Sequence, residues 1–352
     1  MGTSAPAVVA VGSANLDTMA FVPEAFLAAQ RLRRGDATPI ADGTAFRSLK
    51  ESAVATSSRS LSQCGGCACN TGKVLACLGC RTAFCGAVGG DSVGGQFKDA
   101  LQALDIRDLC VEVADRETGE VLCLVAEDGE RSFAYRTGVA SDSLGADRLC
   151  AALDQAAREF GRLDLAYFDV YTLLNPGEAA EVGLRKAHAL GAKVGLNLGS
   201  SGIVHAQRSR LWRLLDEGLV DVIMLNEDEA KALVGSEATP SDVCSALAQR
   251  CEVAVLTMGS AGFWTAFRER SGRGTTPREH LVEKIEEVVD STGAGDFFAG
   301  GFLAAWLLQE LESCKPWGCA AAAVVLGVLG TDLGTEGWRQ LRDNCLGASE
   351  TG

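Results

Sequence analysis

Short apolar, β-branched runs alternate with helix-period segments along most of the chain, and this rhythm limits the fold more than any other feature. Val8–Gly12 reads as a strand, Asn70–Leu78 as a helix ended by Gly79, Leu165–Val170 as a strand, and Gly177–Leu190 as a helix stopped by Gly191. Lys193–Leu198, Val220–Leu225 and Val253–Thr257 follow as strands, Glu227–Val234 and Ser241–Arg250 as helices, and Phe297–Leu311 as a long apolar helix. Near-continuous apolar strands separated by helices suit a parallel sheet covered on both faces. The expected fold class is a three-layer α/β/α sandwich with a mostly parallel central sheet.

Two stretches break the rhythm. Residues 18–63 look irregular, with Arg31, Arg33 and Arg34 ahead of a Ser/Thr/Ala-rich segment at Ser52–Ser62. Residues 111–136 alternate instead, and Val121–Ala126, a turn at Glu127–Gly129 and Arg131–Arg136 form a hairpin signal. Both breaks fall between core strands, so they are expected to assemble into a small antiparallel β lid. The expected division is one domain at 7–345, with core 7–17, 64–110 and 142–345, lid 18–63 and 111–141, and flexible termini at 1–6 and 346–352. Arg268–His280 reads as a surface loop between strands.

The totals narrow the partners. A chain of 352 residues holds one large α/β domain and a smaller appendage. Its net charge of −14 argues against nucleic acid, whose phosphates attract basic faces. No stretch approaches the ~20 apolar residues a membrane helix needs, and the longest candidate, Cys319–Leu329, reads as a buried helix. With no secretory start in the sequence, a cytoplasmic location is expected and the 14 Cys should stay reduced. Cys64, Cys67, Cys77 and Cys80 mimic a CxxC…CxxC zinc site, but a helix between the pairs would hold them apart, and buried thiols are expected. His188, His205 and His280 suggest no ligand set.

The run Asp290-Ser291-Thr292-Gly293-Ala294-Gly295-Asp296 leads directly into the apolar helix. Gly293, Ala294 and Gly295 can present successive amides to an anion at the positive end of a helix dipole. A carboxylate beside bound phosphates is repelled by them, so Asp296 needs a purpose, and a general base for an attacking hydroxyl is the natural one. An ordinary N-cap is the plainer reading of an Asp and two Gly; the whole run with a long helix behind it favours chemistry.

DSTGAGDFFAGGF resembles the C-terminal signature of the ribokinase (PfkB) family of carbohydrate kinases, and further family motifs recur in order from Val9 to about Gly334. The resemblance implies a ribokinase-like fold and transfer of the ATP γ-phosphoryl group to a sugar or nucleoside hydroxyl. Gly12-Ser13-Ala14-Asn15-Leu16-Asp17 resembles the first substrate motif, which makes Asn15 and Asp17 substrate-binding candidates. Gly65-Gly66-Cys67-Ala68-Cys69-Asn70 resembles the Gly-Gly…Asn sugar segment, adding Gly65, Gly66 and Asn70. Cys67 stands where ribokinase carries Lys, a departure from a ribokinase-type ribose site, and here Cys64 and Cys67 read as passengers. Gly86–Gly95 resembles the next element, under the substrate.

Asn226-Glu227-Asp228-Glu229 resembles the Asn-x-x-Glu motif, which implies Mg²⁺ near Glu229 through water; an acidic first helical turn is the plainer alternative. Thr257-Met258-Gly259-Ser260-Ala261-Gly262 resembles the nucleotide segment, giving Thr257, Gly259 and Gly262 for ATP, with Asn197 as a further phosphate-side candidate. Asp290 and Thr292 match family positions around a K⁺ site. The middle of the chain is similar to the adenosine-kinase-like branch and the start to ribokinase, so sugar and nucleoside both stay open. The lid is a candidate surface for a homodimer. A catalytically silent family member serving as a binding or scaffold protein is the alternative. A dinucleotide-dependent oxidoreductase is disfavoured, because Gly12-Ser13-Ala14 lacks G-x-G-x-x-G.

Overall fold

A computed structural model describes residues 5–139, 143–175, 178–268 and 276–348 of the chain. Among these, a nine-stranded sheet runs in the order Arg278–His280, Phe263–Phe267, Val253–Thr257, Val222–Asn226, Lys193–Asn197, Leu165–Asp169, Ala7–Val11, Arg81–Cys85 and Arg107–Asp108. From Val253–Thr257 to Arg107–Asp108 every neighbour pairs parallel; the two edge strands at the other end pair antiparallel. Ala7–Val11 is buried along its whole length, as a strand covered on both faces must be. One apolar layer centres on Leu149, Leu153, Leu184 and Leu247, the other on Val74, Phe97, Phe297 and Trp317. This is the expected sandwich.

The long apolar helix spans Ala294–Leu307, and its burial over nearly its full length explains why it carries no polar face. The segment read as a helix at Cys319–Leu329 is helical as far as Leu326, in the helix Cys314–Leu326. The helix Cys67–Cys77 separates two of the thiols by its full length, about 15 Å at 1.5 Å per residue. The thiols at 64, 67, 77 and 80 therefore do not converge on one point. Among the described residues no helix is long and apolar enough to cross a membrane.

The lid departs from expectation. It is a five-stranded mixed sheet in the order Ala37–Pro39, Arg131–Arg136, Gly119–Val125, Asn15–Phe21 and Ser60–Gly65. The hairpin pairs antiparallel, but Asn15–Phe21 runs parallel to Gly119–Val125 because it enters directly from the core. The stretch read as irregular contains a helix, Gly43–Thr56, with Asp42 accepting from the Ala45 N–H at 2.8 Å. Phe46, Leu49 and Ala53 form its apolar stripe and cover one face of the lid with Ala20, Leu122 and Ala134. A Ser/Thr/Ala-rich composition masked that spacing. Val111–Val113 pairs with Ala87–Gly89 instead of joining the lid.

Some boundaries fall elsewhere. The lid's expected end at 141, the helix start at Gly177, residues 269–275 of the loop before His280, and the termini at 1–4 and 349–352 lie outside the described residues. The C-terminal helix runs Gly334–Ala348, so 346–348 are helical. Arg278–His280 is an edge strand, where a loop was expected.

Candidate active site

The C-terminal edge of the parallel strands gathers most of the candidate residues. Register sets Asp169 beside Asn197 and Asn226 beside Thr257. The helix Ala294–Leu307 starts at this edge from Gly293, whose φ of +75° falls in the left-handed region. A Cβ at Gly293 would also overlap the Thr331 methyl, so glycine is required twice over. Asp296 sits buried in the first helical turn. Its Oδ2 accepts from Asn70 Nδ2 at 3.0 Å and its Oδ1 from Asn197 Nδ2 at 3.3 Å. Asn197 and Asn70 thus both flank the carboxylate. The Thr71 hydroxyl donates to the Asp296 carbonyl at 3.1 Å. A side chain at Gly295 would meet nothing within 4 Å, so the loop faces open space there.

Asp17 was expected just past the first core strand; it lies on the lid strand Asn15–Phe21. The strand Ser60–Gly65 pairs alongside, with Gly65 opposite Asn15. A Cβ at Gly65 would sit inside the Asp17 carboxylate, and one at Gly66, whose φ is +107°, would overlap the Ser13 carbonyl. The paired Gly thus let lid, first core strand and helix meet. Asn15 lies over Gly119 of the neighbouring lid strand.

Lys73 is buried behind these groups, donating to the Cys64 carbonyl at 2.5 Å and to Asn70 Oδ1 at 3.4 Å. Burial pushes the Asp17 carboxyl up to about 7, with Lys73 opposing and Asp296 adding to the rise. Burial likewise raises Asp296 to about 6, against the Asn70 hydrogen bond, the Cys67 thiol, Lys73 and Asn197. Asp169 rises to about 7 by burial, although the Ser13 and Thr172 amides favour its charge. Glu229 also rises to about 7 by burial.

The site thus centres on a buried carboxylate held by two Asn side chains, at the start of a helix behind a glycine loop. The family model for pfkB carbohydrate kinases matches residues 41–337. The chain belongs to the pfkB family. It is 28% identical over 269 residues to the ribokinase of Haemophilus influenzae, covering 74% of this chain and 80% of that protein. The crystal structure of adenosine kinase from Sinorhizobium meliloti superposes with a TM-score of 0.80 at 27% identity, over 99% of this chain and 100% of the other. A probable sugar kinase from Rhizobium etli gives 0.81 at 26% identity, over 99% of each chain. The fold is thus ribokinase-like, with adenosine kinases among its structural neighbours. Membership supports a carbohydrate or nucleoside kinase using ATP.

The remaining candidates have plainer local contacts. Asn226 and Glu229 form a capping box: Asn226 Oδ1 accepts from the Glu229 N–H at 3.0 Å, and Glu229 accepts from the Asn226 N–H and Nδ2, each at 2.9 Å. Both Glu229 oxygens are engaged, yet each keeps a lone pair for a metal-bound water, and hard oxygen suits Mg²⁺. Thr257 Oγ1 donates to the Leu225 carbonyl at 3.4 Å. Gly259 and Gly262 shape the turn between Val253–Thr257 and Phe263–Phe267 with φ of +55° and +101°. Asp290 and Thr292 come together, but with a lid residue between them and solvent. Arg131 donates to Thr292 Oγ1 at 2.8 Å and pairs with Asp290.

Sequence reasoning missed the places of Lys73, Asp169 and Arg131 and the contact of Cys67 with Asp296. Lys73 falls three residues after Asn70 and so on the same helix face. Asp169 ends a strand at the same edge as Asn197, a signal blurred by reading that strand through Val170. The Cys67 thiol hydrogen-bonds the Asp296 carboxyl, and burial pushes its own pKa well up. A surface groove of about 670 Å³ lined by Arg81, Lys98, Asp105 and Arg107 contains none of these site residues.

Proposed function

We propose that the chain moves the γ-phosphoryl group of ATP to a primary hydroxyl of a sugar or nucleoside in the cytoplasm, with Asp296 as general base. The observation that carries this reading is Asp296 itself, buried at a helix N-terminus and held by Asn70 and Asn197. Those donors keep the carboxylate oriented and ionisable near neutral pH despite its burial. Asp296 takes the hydroxyl proton as the oxygen attacks phosphorus. The amides of Gly293, Ala294 and Gly295 stabilise the negative charge of the transferring group. Asn15, Asp17, Gly65, Gly66 and Asn70 hold the acceptor, a carboxylate being the strongest acceptor for paired hydroxyls.

Asn197, Asn226, Thr257, Gly259 and Gly262 line the nucleotide side. Exposed Leu281, Val288 and Val289 offer apolar surface just ahead of the anion loop, suited to a flat base. Mg²⁺, bound with the nucleotide, supplies neutralisation of phosphate charge, and Glu229 would hold it through water.

The test is Asp296→Asn, assayed with a panel of sugars and nucleosides. Turnover should fall roughly 10²–10⁴-fold while ATP-analogue binding and the fold persist. Near wild-type turnover in the variant would remove Asp296 as base. Nucleotide and acceptor binding by the wild type with no turnover on any panel member would favour a silent binding or scaffold protein.

A further inference from the structure

The pfkB resemblance implies a monovalent cation beside Asp290 and Thr292, the two residues that lead into the anion loop. Their side chains are already taken. Asp290 is almost fully buried, and one of its oxygens accepts from the Thr292 N–H at 2.9 Å and the Thr292 hydroxyl at 2.8 Å. The other accepts from the Gly330 N–H at 2.9 Å. The remaining charge is met by Arg131, which reaches down from the lid strand Arg131–Arg136. Its guanidinium also donates to the Thr292 hydroxyl, which in turn donates to Asp290. Burial alone would push the Asp290 carboxyl up. The Thr292 and Gly330 amides, the Thr292 hydroxyl and Arg131 outweigh it and hold the carboxyl below its ordinary range.

The same seam is fastened twice more. Gln63, on the lid strand Ser60–Gly65, accepts from the Thr331 N–H at 2.9 Å and the Asp332 N–H at 3.0 Å. Leu329 packs into the lid face formed by Met19, Cys123 and Val125. The loop that contacts Asp290 through Gly330, and Gly293 through Thr331, is thus gripped by the lid.

We infer that the Arg131 guanidinium serves as a built-in cation at the Asp290–Thr292 position, fixing the anion loop and tying it to the lid, so that this enzyme needs no K⁺ there. The inference rests on reading Gly293–Gly295 as the phosphate site. A guanidinium suits the place because its planar fork serves the Asp290 carboxylate and the Thr292 hydroxyl together, whereas an ammonium is a point charge. Its charge is permanent, so the loop would be ordered in any salt. Arg131 acts here as a positioning residue, through Asp290 and Thr292.

Thermal unfolding of the full-length wild type in KCl, NaCl or choline chloride at equal ionic strength gives a readout that needs no turnover. The melting temperature should be the same in all three, and so should the Kd of a non-hydrolysable ATP analogue. Arg131→Met should weaken analogue binding and turnover in choline roughly 10- to 100-fold, the loss of a hydrogen bond to a charged group. K⁺ should restore a good part of both in the variant, and Arg131→Lys should fall between. A saturable rise of the wild-type melting temperature in K⁺ over choline would overturn the inference, whether or not the variants fold. So would an Arg131→Met protein that binds and turns over like the wild type in choline. Failure of the analogue to bind the wild type in any salt would instead sink the kinase reading, while the melting temperatures still decide the cation question.

Discussion

At the end of the site proposed for the acceptor, Asn70, Lys73 and Asp296 are buried and Asp17 half-buried, and these groups lean on one another. At the end proposed for the nucleotide, Asn226 and Gly259 are exposed, and capping or turn chemistry already accounts for Asn226, Glu229, Gly259 and Gly262. The first end sustains unfavourable electrostatics: its carboxyls are pushed up by burial in a fold that could have placed neutral groups there. Such an arrangement is maintained where a ligand repays it. At the second end burial raises Glu229 alone, to about 7, its contacts follow local capping rules, and what that end offers a nucleotide is amides, one hydroxyl and apolar surface. Selectivity should therefore reside at the acceptor end, and nucleotide binding should be spread over many weak contacts.

The strongest way to break this contrast is Asp17→Ala. It should lower kcat/KM for the acceptor by about 1.5–3 kcal/mol, the range for a hydrogen bond to a charged group. Part of the loss should appear in kcat, because the hydroxyl is no longer aligned for attack. Steady-state kinetics with acceptor varied at saturating ATP would measure it. A raised KM for ATP with unchanged acceptor kinetics would mean that the two ends have been exchanged.

Glu229→Gln probes the other end. The amide oxygen can keep one of the two Asn226 contacts, so the helix should persist. The Mg²⁺ concentration for half-maximal rate should rise roughly 10-fold, typical of losing a group that orients metal-bound water. An unchanged Mg²⁺ titration would leave the capping box as the whole role of Glu229.

The contrast also bears on what could be read before the structure. The parallel sheet was legible because Ala7–Val11, Leu165–Asp169 and Val253–Thr257 are uninterrupted apolar strands, and their order placed Asn197, Asn226 and Thr257 on one edge. Asp296 was legible from the local run around it. The lid was read only in part: its hairpin has a turn signal, whereas the parallel pairing of Asn15–Phe21 with Gly119–Val125 joins residues far apart in sequence and leaves no local trace. Lys73 and Arg131 went unread for the same reason. An interior Lys and a strand Arg look like solvated charges until the fold places carboxyls beside them.

Asp17→Asn sharpens the contrast through stability. The Asp17 carboxyl is raised from 3.8 to about 7 in the folded state. Well below pH 3.8 both states hold the proton and there is no penalty. As pH rises from about 4 to 7 the unfolded chain releases it first, so stability falls, and above about 7 the penalty is complete. The variant removes it. Without ligand, Asp17→Asn should gain on the wild type as pH rises, with a clearly smaller difference at about pH 4.5 than at about pH 8, where it should melt higher by about 2 °C or more, although it loses activity. Equal differences at both pH values would show that the effect is not electrostatic.

The smallest effect is expected from Thr257→Ala. Its hydroxyl makes a long 3.4 Å bond to the Leu225 carbonyl at the end of the neighbouring strand, and the side chain is half-buried. Losing that bond should scarcely disturb the fold, because the Leu225 carbonyl belongs to a paired sheet strand. If the hydroxyl also meets a phosphate, it is one neutral donor among several amides, each worth little net in water. The KM for ATP should rise about 2-fold, with kcat and the acceptor KM unchanged. A 100-fold rise would contradict the contrast directly, since it would make one side chain dominate an end described here as distributed. It would also imply that the Thr257 hydroxyl leaves Leu225 on binding and takes a charged oxygen in a dry site, where a hydrogen bond counts for far more.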